Sequence, residues 1–294
     1  MRTRSRGLRA SAAALAAASL LVAVFATPAG AITHGSLDGS GHPYVGLMTA
    51  HAAGGQYLWR CTGTLISPTV FVTAGHCVEA DASQGFGPPT YAVVFFKNTL
   101  ITPDPAFTLT TRSCTGIAGY PCGGANETAI NGSIHENPNY NPDAFFTNDL
   151  GVVVLDQPYN PGSFGALPAA DQFDSWTNSS DVTFTSVGFG LQRAFPDQGA
   201  SQRKELAARI RMVAHPRLIG INGGYAQDYS IILSNNANTG GTCFGDSGGP
   251  NFVGNTNVIA GVTSFGKNWT CGGQGGVYRI DNAADLAFIN SFVD

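Results

Sequence analysis

"GDSGGP", residues 245–250, sets a serine, Ser247, in a run of glycines. A serine hydroxyl is a poor nucleophile unless a base takes its proton, and the base works best when a carboxylate orients it. Two other short stretches carry such groups: His76 in "TAGHC", residues 73–77, and Asp149 in "NDLGVVVL", residues 148–155. Gly245, Gly248 and Gly249 permit a tight turn whose backbone N–H groups converge on one point, which is how an oxyanion hole is made. A glycine-rich turn or a lone histidine is most often structural. Together the three stretches point to nucleophilic catalysis, with Ser247 as nucleophile, His76 as base and Asp149 as orienting acid.

Chain order narrows the architecture. "GDSGG" also fits the nucleophile elbow of α/β-hydrolases, in which the histidine follows the serine. The six histidines, His34, His42, His51, His76, His135 and His215, all precede Ser247. A subtilisin-like order needs an acid before His76, and Asp38 in a glycine-rich turn is the sole one there. The order that survives is His, Asp, Ser. Asp143 and Asp156 lie near Asp149 but outside the motif and read as solvated turn residues.

The chain's first residues read as an export signal. Arg2, Arg4, Arg6 and Arg9 precede an apolar run from Ala12 to about Ala26, and Ala29-Gly30-Ala31 supplies a small-x-small cleavage pattern. The run is short for a membrane span. Residues 1–31 are therefore expected to be a signal peptide, leaving a secreted, extracellular protein with no membrane attachment; a cut after Ala26, leaving Thr27–Ala31 as a short pro-segment, is the rival. Four of the 15 Lys and Arg lie in this leader, so 11 remain against 19 acids, which disfavours nucleic acid as a partner.

Short runs rich in Val, Thr, Phe and Tyr recur between turn residues: "PYVGLMTA", "CTGTLISPTVFVTA", "YAVVFF", "DLGVVVL", "VTFTSVGFG", "NVIAGVTSF" and "GGVYRI". This is an all-β signature. The segment 157–178, rich in Pro and Gly, reads as a crossing between two β-domains, 32–160 and 161–294. A C-terminal helix is expected in "DNAADLAFINSFV", with Leu286, Ile289 and Val293 on one face and Asp281 or Asn282 as cap; residues 168–176 form a weaker helical candidate. Six cysteines in an exported chain suggest three disulfides out of 15 possible pairings. Proximity favours Cys61 with Cys77 and Cys114 with Cys122, leaving Cys243 with Cys271. No C-x-x-C cluster suggests a metal, and none is expected. His34, Asp38 and His42 read as a loop.

With "TAGHC", "YNP…NDLGVVVL" and "GDSGGP" in this order, the sequence resembles the trypsin-like, chymotrypsin-fold serine proteases from about Ile32 to its end. The resemblance implies two antiparallel six-stranded β-barrels with the active site between them, His76 and Asp149 from the first and Ser247 from the second. It also implies the Cys61–Cys77 and Cys243–Cys271 disulfides. Gly245 and Ser247 would supply the oxyanion N–H groups, and Ser264, in "TSFG", would hydrogen-bond Asp149. Phe265 stands where relatives carry tryptophan. Tyr140 is expected beside the second subsite, and His135 reads as a loop residue.

By the same resemblance Gly241, six residues before Ser247, lies at the floor of the primary specificity pocket, with Thr242, Ser264, Gly266 and Gly276 around it. No carboxylate stands at the floor, so a large apolar or aromatic residue before the scissile bond is expected, in place of Arg or Lys. Gly275 stands where many relatives have proline. The resemblance further pairs a freed Ile32 ammonium with Asp246, ordering the oxyanion hole. The chain thus reads as a monomeric endopeptidase without cofactor, acting on polypeptide substrates and open to proteinaceous inhibitors. An esterase on this scaffold and a protease-fold binding protein without turnover are the alternatives.

Overall fold

Alternating apolar residues and β-branched side chains favour pleated strands over helices; each such run contributes to a strand, and "CTGTLISPTVFVTA" is divided between two by the bend at 66–69. The computed structural model describes residues 32–79, 87–96, 129–178, 181–196, 203–206, 209–223 and 228–293. The expected signal segment and the Cys114–Cys122 pair lie outside the described residues.

Strands β2 (Val45–Ala52), β3 (Tyr57–Leu65), β4 (Val70–Thr73), β5 (Pro89–Phe95), β6 (Ala129–Glu136) and β7 (Gly151–Leu155) close into an antiparallel barrel in the order β2-β3-β4-β7-β6-β5. Closure leaves no free edge, and every residue of β2 and β4 is buried. Strand β1 (Ser36–Leu37), although early in the chain, pairs with the second sheet through β11 (Met212–Ala214). That sheet also contains β8 (Phe184–Gly188), β12 (Leu218–Ile221), β13 (Ser230–Asn235), β14 (Pro250–Val253), β15 (Ile259–Gly266) and β16 (Gly273–Arg279). Its order is β1-β11-β8-β14-β15-β16-β13-β12, eight strands curled as a half-barrel where a second closed six-stranded barrel was expected. β9 (Arg193–Pro196) and β10 (Arg203–Leu206) form a separate hairpin.

The core does not stop at the junction. Val45, Leu47, Phe71, Val94 and Val152 of the first barrel belong to one buried cluster with Val187, Phe252, Ile259 and Ile289. A second cluster, Phe173, Phe184, Leu218, Ile231 and Val277, fills the second sheet. Arg211 reinforces the joint. Its buried guanidinium donates to Asp38 Oδ2 at 2.7 Å, to the carbonyl of Gly39 at 2.9 Å and to that of Val45 at 3.2 Å. Asp38 also accepts from the His42 N–H at 2.9 Å. Burial acts to raise the Asp38 carboxyl, yet the hydrogen bonds and charge of His42 and Arg211 prevail and hold it below its ordinary value. The apparent loop of Asp38 and His42 is thus an anchor between the two halves.

The C-terminal helix α1 spans Ala283–Asn290 and is capped by the Asn282 side chain, which accepts from Asp285 N. Its buried positions are Asp285 and Ile289, whereas Val293 is exposed. The expected apolar face fails at that end because a polar residue takes the inward slot. Residues 168–176 contain turns and no helix.

Candidate active site

The histidine is placed by a single helical turn. β4 ends at Thr73, and Gly75–Cys77 forms a 3-10 turn whose Cys77 is bonded to Cys61 in β3. The bond closes a sequence separation of 16 residues, worth about 3 kcal/mol in the chain-entropy account. Both sulfurs near His76 are therefore bound to each other, and the trio Cys61, His76 and Cys77 offers a metal only the imidazole.

Asp149 is fully buried just before β7. Its Oδ1 accepts from the His76 backbone N–H at 2.9 Å, and its Oδ2 lies 2.9 Å from His76 Nδ1. Ser264 Oγ, from β15, donates to Oδ2 at 2.5 Å. Burial disfavours a charged imidazole, but the charge and hydrogen bond of Asp149, with the charge of Glu79, outweigh it and raise the His76 pKa above 6.5. Ser247 opens onto the same cleft as His76. Among the described residues its hydroxyl makes no hydrogen bond to the imidazole, a contact that commonly tightens only when substrate binds.

The turn holding Ser247 is pinned from the first barrel. Thr62 N–H donates to the Ser247 carbonyl at 2.7 Å, and Thr62 Oγ1 donates to the Gly245 carbonyl at 2.8 Å. Asp246, Gly248 and Gly249 spend their N–H groups on Cys243 O, Thr263 O and Asp246 O. Among the described residues the N–H groups of Gly245 and Ser247 have no acceptor. Those two are the donors expected to hold an oxyanion. Gly245 (φ 93°) and Gly248 (φ 76°) occupy the left-handed region, and a β-carbon on Gly248 would lie 2.0 Å from Thr73 Oγ1. The "GDSGG" spelling therefore has a local steric cause.

Beside Ser247 the cleft encloses about 370 Å³, lined by Phe145, Thr242, Phe244, Ser264, Phe265, Gly266 and Asn268 among others. The lining holds no carboxylate. Gly241 and Gly276 are not on this wall. The β-carbon position of Gly241 points at Asn235 Cγ, 2.3 Å away, and that of Gly276 lies under the Phe265 ring at 2.3 Å. Gly275 instead faces Thr242 Oγ1 at 3.0 Å. Tyr140 is also withdrawn: it packs beneath Gly75 and donates to Glu79 Oε2 at 3.1 Å. His135 contacts Phe292.

Ile32 is fully buried against Met212 and Ala214. Thr33 exchanges backbone hydrogen bonds with Gly241 at 2.9 and 3.0 Å, and its hydroxyl donates to Asn235 Oδ1 at 2.6 Å. Met212 pairs with Gly188, whose β-carbon position meets the Asp246 carboxylate. Asp246 is fully buried and accepts from Gly190 N–H at 2.7 Å and Cys243 N–H at 2.8 Å. Burial pushes its carboxyl up to about 7, against the pull of those two donors and of the Arg60 charge.

Comparison with known proteins places this arrangement. The Trypsin family model matches residues 37–286. The chain belongs to the trypsin family. It is 25% identical over 254 residues to CLIP domain-containing serine protease B14 of Anopheles gambiae, covering 80% of this chain and 65% of that protein. It is 23% identical over 230 residues to an ovochymase of Halocynthia roretzi, covering 74% of this chain and 12% of that protein. The chain thus spans less than two thirds of either curated relative. Among solved structures, an HL collagenase superposes with a TM-score of 0.61 at 19% identity, over 90% of this chain and all of that one. A mutant of human heparin binding protein gives 0.55 at 16% identity, over 86% and 93% of the two chains. These two likenesses establish the fold. Among the described residues no helix is long and apolar enough to cross a membrane.

Thr62 and Asn235 went unnoticed in the sequence. Neither sits in a recognisable motif, and a strand threonine or asparagine carries no local sign of the turn it will meet.

Proposed function

We propose that the chain is a secreted serine endopeptidase working through an acyl-enzyme. The observation that carries this reading is one buried carboxylate, Asp149, bonded to both His76 and Ser264 beside a serine turn with two unused N–H groups. Asp149 fixes the tautomer with the proton on Nδ1, which leaves Nε2 as the base. Ser247 Oγ attacks the scissile carbonyl as its proton passes to Nε2, and the carbonyl π electrons move onto oxygen. The Gly245 and Ser247 N–H groups receive that negative oxygen. Collapse expels the amine, which takes the proton from His76. A water then repeats the sequence and releases the acid.

The raised His76 pKa suits both halves of this cycle, since a stronger base takes the serine proton more readily. The aromatic, uncharged cleft favours Phe, Tyr or Leu before the scissile bond, each burying apolar area at about 25 cal/mol per Å². The N-terminal reading fits the same picture: Ile32 is buried on Met212, whose strand partner Gly188 abuts the Asp246 carboxylate, and this favours export and cleavage as the step that completes the site. The arginine-bearing leader favours secretion.

A fluorophosphonate probe, a peptide panel and a simple ester test the proposal together. Labelling of Ser247 with peptide turnover is expected. Ester turnover alone would mark an esterase, and neither turnover nor labelling a binding protein.

A further inference from the structure

The residues on either side of the catalytic acid are both tied to one carboxylate far along the chain. Asp285, in the first turn of α1, is 1% exposed. It accepts from Asn137 Nδ2 at 2.8 Å, from Tyr278 Oη at 2.8 Å and from Asn282 Nδ2. Asn282 in turn caps the helix by accepting from Asp285 N at 2.8 Å. Two paths run from this carboxylate to Asp149.

The first path goes through Asn137, whose N–H donates to the Leu150 carbonyl at 3.0 Å. Its carbonyl accepts from Tyr140 N and its Oδ1 from Asn139 N, so Asn137 organises the whole segment leading to the acid. The second, weaker one goes through Tyr278, whose single hydroxyl proton is given to Asp285 at 2.8 Å and whose oxygen packs 3.4 Å from Asn148 Oδ1. Asn148 holds a left-handed backbone (φ 51°) and donates to the Asn139 carbonyl at 3.0 Å. Residues 148 and 150 flank Asp149.

We propose that Asp285 is a positioning residue for Asp149, acting through Asn137 and Tyr278, and that the C-terminal helix is thereby part of the catalytic apparatus. The proposal rests on the serine hydrolase reading above. The chemistry favours a carboxylate at 285 over any other group. Three side-chain donors converge on it, and an ionised carboxylate is acceptor-only with room for all of them. An asparagine would set its own amide against one of those donors, leaving a buried N–H unpaired. The sheet and the helix therefore agree on the acid.

The test uses the full processed chain, with kcat expressed per Ser247 titrated by the fluorophosphonate. Asp285→Asn should lower kcat about ten- to hundredfold while KM changes little, as small displacements of catalytic groups do. Tyr278→Phe, which keeps the ring and removes one path, should lower kcat less. The double variant should match Asp285→Asn, since Tyr278 lies on a path that starts at Asp285. A readout independent of turnover is the proton NMR signal of the His76 Nδ1–H, which should shift or broaden in both variants. A merely structural role would lower the melting temperature and leave kcat per titrated site and that signal unchanged. This outcome in folded variants overturns the proposal, and if Asp285→Asn does not fold, Tyr278→Phe decides it. Wild-type chain without peptide turnover would sink the hydrolase reading instead, and the NMR comparison would still judge the positioning.

Discussion

Ser264 Oγ donates to Asp149 Oδ2 at 2.5 Å, joining a strand of the second sheet to a residue 115 positions away, just before β7 of the first barrel. The Asp149 carboxylate is therefore seated by the second half of the chain although the first half carries it. A buried carboxylate needs every lone pair matched, and His76 supplies the other donors.

Ser264→Ala removes one hydrogen bond to a charged group, worth about 1.5–3 kcal/mol. The expected outcome is a fall in kcat of about ten- to hundredfold, with a small change in KM because Ser264 also lines the cleft. Steady-state kinetics on a single peptide decide it. An unchanged kcat would show that the hydrogen bond does not support the transition state.

The acid limb of kcat/KM should lie above 6.5. The imidazole must be neutral to act as a base, and its pKa is raised, so activity falls as pH drops through that raised value. The same shift makes the charged His76–Asp149 contact stabilising below the unfolded histidine pKa, a contribution lost as pH rises through the folded one. In Asp149→Asn the larger raising charge goes while burial, the largest cause, remains against only the Glu79 charge, so the limb of the residual activity should move below 6.5, with kcat lower by about 10⁴. A limb that stays put would assign the titration to another group.

Cleavage should occur after Phe, Tyr or Leu in preference to Arg or Lys, read from the products of a digested protein mixture. Predominant cuts after Arg or Lys would overturn this. The structure adds a sharper expectation. Gly241→Asp should not create an Arg-cleaving enzyme, because the new side chain would meet Asn235, which holds Thr33 and the Thr242 carbonyl. The single variant should lose activity toward all substrates; a gain for Arg peptides would show that the Asn235 side chain gives way.

Motif spelling singled out His76, Asp149, Ser247 and the glycine turn, and the turn was legible because Gly245 and Gly248 answer a local backbone demand, their left-handed φ of 93° and 76°. The long apolar strands were legible from local pattern as well. β6, "AINGSIHE", and β13, "SIILSN", passed unread because polar residues or glycine interrupt their apolar positions. Asp285 and Thr62 were invisible for another reason. Their worth comes from partners 148 and 183 residues distant, Asn137 and Gly245. The second sheet's half-barrel form depends on β1 joining β11, a pairing of two residues with no sequence signal.

Ile32 has φ 69°, a left-handed value that a β-branched residue adopts only under strain. Cleavage of the bond before Ile32 removes the preceding carbonyl and the torsion with it, and frees the ammonium group that the family resemblance pairs with Asp246. With Ile32 still peptide-linked, burial holds the Asp246 carboxyl up at about 7. Its folded pKa then exceeds the unfolded 3.8, so stability declines as pH rises from about 3.8 to about 7 and does not return above it. A chain bearing one extra residue before Ile32 should therefore keep its serine turn ordered near pH 5 and lose it near pH 8. The Ile32-start chain should stay ordered there, until its ammonium deprotonates in alkali. Fluorophosphonate labelling of Ser247 against pH, on both chains, makes the comparison, with N-terminal sequencing of the active secreted protein beside it. Equal labelling of the two chains at pH 8, or fully active protein that begins at Thr27, would remove the ammonium from the mechanism.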